Sequence, residues 1–144
     1  MELTFVDVRP GEPDMTAEVG PLIRTLRPAL TADGFAAFAG EAHAQGLVFT
    51  AARDNQGRYL AVATHRVLAT SRGRTLFVDD LVTALDARRA GVGARLMDEL
   101  EIRARKAGCE RVELDSGVTN HGAHRFHHTC RMAITALHFT RDLS

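Results

Sequence analysis

Apolar and polar residues alternate through "LTFVDVR" (3–9), the period-two pattern of a half-buried strand. "PGEPD" (10–14) interrupts it, and Asp14 is placed to cap a following helix. Val19, Leu22, Ile23 and Leu26 then recur at helical spacing, with Pro21 either in an early turn or splitting the segment, and Pro28 ending it. A second, Ala/Phe-rich helix begins at Thr31 or Asp33, runs to about Gln45 and stops at Gly46. "LVFTAAR" (47–53), the turn "DNQG" (54–57) and "YLAVATHRVLA" (59–69) predict a hairpin, and "SRGR" (71–74) turns again into "TLFVDDLVT" (75–83). Three antiparallel strands thus precede "DARRAGVGARLMDEL" (86–100).

From about Ala90 to Ala107, Val92, Leu96, Leu100 and Ala104 repeat on one helical face, with Glu99/Arg103 and Glu101/Arg105 as i,i+4 pairs on another and Gly108 as the stop. "RVELDS" (111–116) predicts a strand, "GVTN" a loop, residues 122 to 129 a short helix, and 132–140 a closing strand. The order β-α-α-β-β-β-α-β-α-β describes one mixed α/β domain over residues 1–144, with no repeat, low-complexity segment or linker.

Composition narrows the function. The chain has 144 residues, zero formal charge and 25% charged residues, so it carries neither the basic footprint of a nucleic-acid binder nor a polybasic membrane signal. Lys106 is its sole lysine, and we read the arginine-rich balance as coding bias first and a binding signal second. Residues 1–20 lack the apolar run of a signal peptide, no stretch is apolar for the length of a membrane span, and two cysteines are too few for a disulfide framework. The expectation is a reduced, cytoplasmic protein.

Two arginines and two glycines crowd the start of the third helix. A helix N-terminus presents unpartnered N–H groups and a partial positive charge, so anions bind there. Gly91 and Gly93 let a phosphate approach the backbone, while Arg88 and Arg89 add charge and forked donors. The plain alternative is a tight strand-to-helix turn. A dinucleotide fingerprint fails because Leu96 stands at the third glycine position and too few strands follow, and no Gly-Lys-Ser/Thr completes a P-loop.

"LVTALDARRAGVGARLMDEL" resembles the acyl-coenzyme A signature of the GNAT (Gcn5-related) N-acetyltransferase superfamily, R/Q-x-x-G-x-G/A, with Arg88, Gly91 and Gly93 at its fixed positions. The order of elements matches that family from end to end. The resemblance implies an α/β fold with a mixed, mostly antiparallel central sheet flanked by helices. It implies acetyl-CoA as co-substrate, its pyrophosphate on the N–H groups of Arg89, Ala90, Gly91, Val92, Gly93 and Ala94, and its pantetheine arm along Val82 and Thr83. Asn120 is a further expected cofactor contact.

Asp79 and Asp80 sit inside the apolar run "FVDDLVT", unusual for a core strand. Successive strand residues face opposite sides, so one of the two is expected to look into any given cleft. Either is a solvent-facing acid with an arginine partner, or one takes the proton from an ammonium substrate. "VDDLV" resembles the "LED-I-Y-V" segment of diamine acetyltransferases, which puts the catalytic carboxylate on Asp79 and a second substrate contact on Asp80.

Five of seven histidines fall in residues 121–144. His124 and His128 have a ligand spacing, but with no HExxH pattern or acid triad no metal is expected. "NHGAHRFHHTCRM" resembles the family's "N-x-x-A-x-x-F/L-Y-x-x-x-G-F" segment, closest to aminoalkylphosphonate-type acetyltransferases. In that register His127 replaces the tyrosine that protonates the departing thiolate, and Arg131-Met132 replaces Gly-Phe. Either His127 takes over as general acid, or it is a packing residue and water protonates the sulfur.

The resemblance implies direct transfer to a primary amine of a small molecule, with a backbone N–H near Val82 stabilising the oxyanion and neither Cys109 nor Cys130 as nucleophile. The alternative is an acyl-CoA-binding sensor with little transferase activity. The paired aspartates favour a cationic acceptor, whereas the "AHRFY"-like segment leans towards phosphonates. Homodimers are common in the family, and no interface is legible here.

Overall fold

The structure, a computed structural model, describes residues 1–144. Residues Met1–Glu113 form one compact unit and Leu114–Ser144 a second.

In the first unit, strands β1 (Thr4–Val8), β2 (Val48–Arg53), β3 (Tyr59–Thr70) and β4 (Gly73–Thr83) pair antiparallel in sequence order. The short strand β5 (Arg111–Leu114) completes a five-stranded sheet beside β4. Helices α1 (Gly20–Leu26) and α2 (Ala32–Ala44) cover one face; α3 (Val92–Lys106) covers the other. Covering both faces explains why Tyr59 to His65 of β3 are buried without interruption rather than alternating.

The α1/α2 face packs Ile23, Phe35 and Ala39 against Phe49, Ala51 and Val62. On the other face Val92, Leu96, Leu100 and Ala104 of α3 are buried, the stripe expected from their spacing. At roughly 1.5–3 kcal/mol for each large aliphatic side chain, that stripe suffices to dock the helix. The i,i+4 pairs form as well, Arg103 to Glu99 at 2.8 Å and Arg105 to Glu101 at 2.8 Å.

Arg103 also ties α3 to the sheet. Its Nη1 donates to Asp7 at 2.6 Å and to the Thr50 hydroxyl at 3.1 Å, and Thr50 bonds Asp7 (2.8 Å) and His65 Nε2 (2.8 Å). His65 is 4% exposed; burial first, and then the Arg103 charge, push its pKa down to about 4.

One expectation about the ends of elements is corrected and one alternative is resolved. Asp14 does not cap the first helix with its side chain, because its carboxylate accepts from the Tyr59 hydroxyl at 2.7 Å. A π-helical turn, Met15–Val19, leads into α1 there, and burial together with Asp14 pushes Tyr59 up to about 12. Thr31, rather than Asp33, caps α2, its hydroxyl accepting from Gly34 N–H at 3.0 Å.

The second unit contains α4 (His121–Thr129) and no closing strand at 132–140. Ile134, Leu137 and Phe139 are exposed, and Ile134 is out of step with the period-two spacing of Leu137 and Phe139. Alternation marks a segment fit for a sheet face, whereas a strand also needs a neighbouring edge for its N–H and C=O groups. No helix is long and apolar enough to cross a membrane.

Candidate active site

The glycine loop follows β4 directly. Ala84 N–H donates to Leu60 O at 2.7 Å, and a 3₁₀ turn, Leu85–Ala87, carries the chain away from the sheet. Arg58 pairs with Asp86 and pins that turn; its hydrogen bond holds the exposed Asp86 carboxyl below the usual carboxylate range. Arg88 is extended, Arg89 is left-handed at φ +68°, and Gly91 is left-handed again at φ +77° where α3 begins. Nothing lies within 4 Å of where a Gly91 Cβ would stand, so glycine is required there by torsion and not by space.

No side chain caps α3, and its first ladder bond is Arg95 N–H to Gly91 O at 3.1 Å. The N–H groups of Val92, Gly93 and Ala94 therefore precede the ladder, and exposed Arg88, Arg89 and Ala90 border them. An uncapped helix start beside two arginines has the donors and the dipole for a diphosphate.

Val82 and Thr83 pair on one side with Val62 and Ala61 of β3. On β4's other side, β5 begins far away: Glu110 N–H donates to Arg74 O at 2.8 Å, and Thr75 bonds Arg111 O at 3.2 Å. A four-residue strand spans about 13 Å, too short to reach Val82 from there. This part of β4 keeps an edge that an extended arm can pair with.

Asp79 and Asp80 both line one pocket, which corrects the expectation that one of them would turn away. The ladder explains it: Thr64 pairs with Asp80, but the next residue, His65, pairs with Val78, so Asp79 is an extra, bulged residue. Counted forward from Phe77, Asp79 falls on the α1/α2 face; counted back from Val82, Asp80 does too. The bulge makes both true.

The pocket encloses about 590 Å³ and is walled by Ile23, Leu30, Phe38 and Leu47. Asp80 accepts from the Thr64 hydroxyl at 2.8 Å and from Arg27 Nη2 at 3.0 Å, and its side chain is 10% exposed. Asp79 accepts from Arg66 Nε at 3.1 Å and is 31% exposed. Arg27 and Arg66 line the same pocket, and neither was singled out from the sequence. The signal for Arg66 was its place in the hydrophobic run of β3; Arg27, past the end of α1, gave none.

In the second unit, Asn120 caps α4 by accepting from Ala123 N–H at 3.2 Å. His127 packs edge-on against Phe126, ring centroids 5.3 Å apart, and its Nδ1 is buried without a hydrogen-bond partner. Burial lowers its pKa, helped by the neighbouring His124 and His128. His124 bonds Gly117 O at 2.8 Å and His128 lies 3.2 Å from Met132 O. No group of three or more His, Cys, Asp or Glu side chains is assembled to hold a metal ion.

Comparison with known proteins decides the family. The model of the GNAT acetyltransferase family matches residues 20–131. The chain belongs to the GNAT acetyltransferase family. A Bacillus subtilis relative, the uncharacterized N-acetyltransferase YhdJ, is 41% identical over 78 residues, covering 54% of this chain and 54% of the relative. The match thus spans about half the length of that protein. Among solved structures, the aminoglycoside N-acetyltransferase AAC(6')-Iy in complex with CoA superposes with a TM-score of 0.83 at 16% identity, covering 99% of this chain and 96% of the other. Glucosamine-6-phosphate N-acetyltransferase from Arabidopsis thaliana superposes with a TM-score of 0.76 at 17% identity over 100% of both chains. At those identities the GNAT fold is what the superpositions establish.

Proposed function

We propose that this chain is an acetyl-CoA-dependent N-acetyltransferase that moves the acetyl group directly onto a primary amine of a small molecule. The observation that carries the reading is the bulge in β4, which turns Asp79 and Asp80 together into a 590 Å³ pocket a few residues before the open edge at Val82 and the uncapped start of α3. One strand connects acceptor pocket, thioester position and phosphate cup.

Acetyl-CoA supplies the activated acyl group as a thioester. The residues fit it: N–H groups between Arg89 and Ala94, apart from that of Ala90, which donates to Ala87 O at 3.4 Å, would hold the diphosphate with the guanidinium groups of Arg88 and Arg89, and the β4 edge at Val82 and Thr83 would pair with the pantetheine arm. Asp79 and Asp80 draw an ammonium into the pocket, and one of them takes its proton, leaving a lone pair to attack. Asp80, fixed by Thr64 and Arg27, is the better oriented carboxylate; Asp79 is the more accessible. A backbone N–H near Val82, on the edge of β4 that faces away from β3, serves as the oxyanion donor. The departing sulfur takes its proton from water or from a general acid, the role that the family resemblance gives His127. Holding both reactants in one geometry supplies much of the acceleration.

Thiol release from acetyl-CoA across a panel of primary amines tests this. Amine-dependent release that collapses in Asp80→Asn or Asp79→Asn is expected. Tight CoA binding without release for any amine would instead favour the sensor.

A further inference from the structure

We infer that the acceptor is an amphipathic zwitterion, a primary amine that also carries a carboxylate or phosphonate and an apolar side chain. This rests on the proposed transferase reading and narrows its substrate class.

The pocket contains two carboxylates and two guanidinium groups, each acid held by one arginine: Asp80 by Arg27 at 3.0 Å, Asp79 by Arg66 at 3.1 Å. The four charges of such a site already cancel, so a plain ammonium adds a net positive charge against apolar walls, which is unfavourable. An ammonium joined to an anion replaces both halves of an ion pair at once. Its positive end goes to the carboxylate, its negative end to the arginine, and every charge stays matched.

The arginines have donors to spare. Arg27 bonds Asp80 through Nη2 and Arg66 bonds Asp79 through Nε, one of five N–H donors in each case. The Arg66 Nη pair presents the forked edge that suits a carboxylate or phosphonate. Arg27 is 56% exposed and stands where an arriving anion meets it first, whereas Arg66 is 24% exposed.

The walls set the rest of the molecule. Ile23, Leu30, Phe38 and Leu47 offer no hydrogen-bonding side chain. A volume of 590 Å³ exceeds what a glycine-sized ligand fills and leaves room for an apolar substituent of leucine or phenylalanine size.

The test uses matched acceptors: L-phenylalanine, its phosphonate analogue, phenethylamine and putrescine, assayed by thiol release with wild type, Arg27→Gln and Arg66→Gln. The expected result is that at least one anionic amine exceeds phenethylamine by about tenfold or more in kcat/KM. In either variant that ratio falls towards one through KM. The phenylalanine and phosphonate arms separate the two anions. Phenethylamine or putrescine equal to or better than both anionic amines overturns the zwitterion and leaves the transferase standing. Should no amine release thiol, the transferase reading falls. Calorimetric binding of the same four compounds then judges the pocket: anionic preference lost in Arg66→Gln upholds the recognition, and equal binding overturns it.

Discussion

His65 makes the stability of this protein depend on pH in a way that can be computed from its surroundings. The ring is buried in β3, bonded to Thr50, with the Arg103 guanidinium close by, and its pKa falls from 6.5 to about 4. The unfolded chain regains the ordinary value. Below about pH 6.5 the unfolded state therefore takes up a proton that the folded state refuses, and stability falls as pH drops towards 4. Above pH 6.5 the contribution is fully present. Its full size is about 3 kcal/mol, and between pH 7.5 and 5.5 the loss is about 1 kcal/mol. Gln places an amide where His65 Nε2 meets Thr50 and does not titrate. Urea unfolding at both pH values is the assay: wild type should lose about 1 kcal/mol more than His65→Gln, roughly half a molar in midpoint at a slope of about 2 kcal/mol/M. Equal losses in the two proteins would refute the reasoning, because carboxylates elsewhere titrate identically in both.

Other consequences are as specific. Gly91→Ala forces a Cβ into φ +77°, so stability should fall by about 1–2 kcal/mol and calorimetric CoA affinity should fall with it. Asp80→Asn should lower kcat by about 10²–10⁴-fold if Asp80 is the base, with Asp79→Asn showing the smaller effect; the reverse order assigns the base to Asp79. Arg103→Met removes the bonds to Asp7, Thr50 and Glu99 and should cost about 1–3 kcal/mol in urea unfolding, because α3 loses its polar tie to the sheet. His127 holds its proton more weakly than an ordinary histidine, so any limb it contributes to the pH–rate profile must lie below pH 6.5. Activity would fall as pH rises through that limb, and His127→Phe should abolish the limb; identical profiles would remove His127 from the mechanism.

Where periodicity governs structure, the sequence was readable. The α3 stripe, the β2–β3 hairpin, the turn into β4 and the glycine at a left-handed helix start all follow from spacing and torsional demand. The bulge at Asp79 escaped because period-two alternation has no mark for an inserted residue, and that residue decides where both acids point. Asp14 was assigned to a cap because capping is local, whereas its actual partner, Tyr59, is distant in sequence. The segment 132–140 is apolar enough for a strand, but its large apolar positions change phase after Ile134, and pairing depends on an edge elsewhere. Arg27 carries no mark in a chain whose basic residues are arginine with one exception, Lys106, and Arg66 carries only its place in the hydrophobic run of β3. Only folding singles them out, by setting them against two carboxylates among apolar walls.

The central claim is that backbone amides opening α3 hold the diphosphate of CoA and aim its sulfur along β4 towards Asp79 and Asp80. A crystal structure of the CoA complex tests it most directly. The account predicts phosphate oxygens within hydrogen-bond distance of the Val92, Gly93 and Ala94 N–H groups and the thiol between Val82 and the aspartate pocket. CoA bound elsewhere, or with its sulfur directed away from both acids, would contradict it.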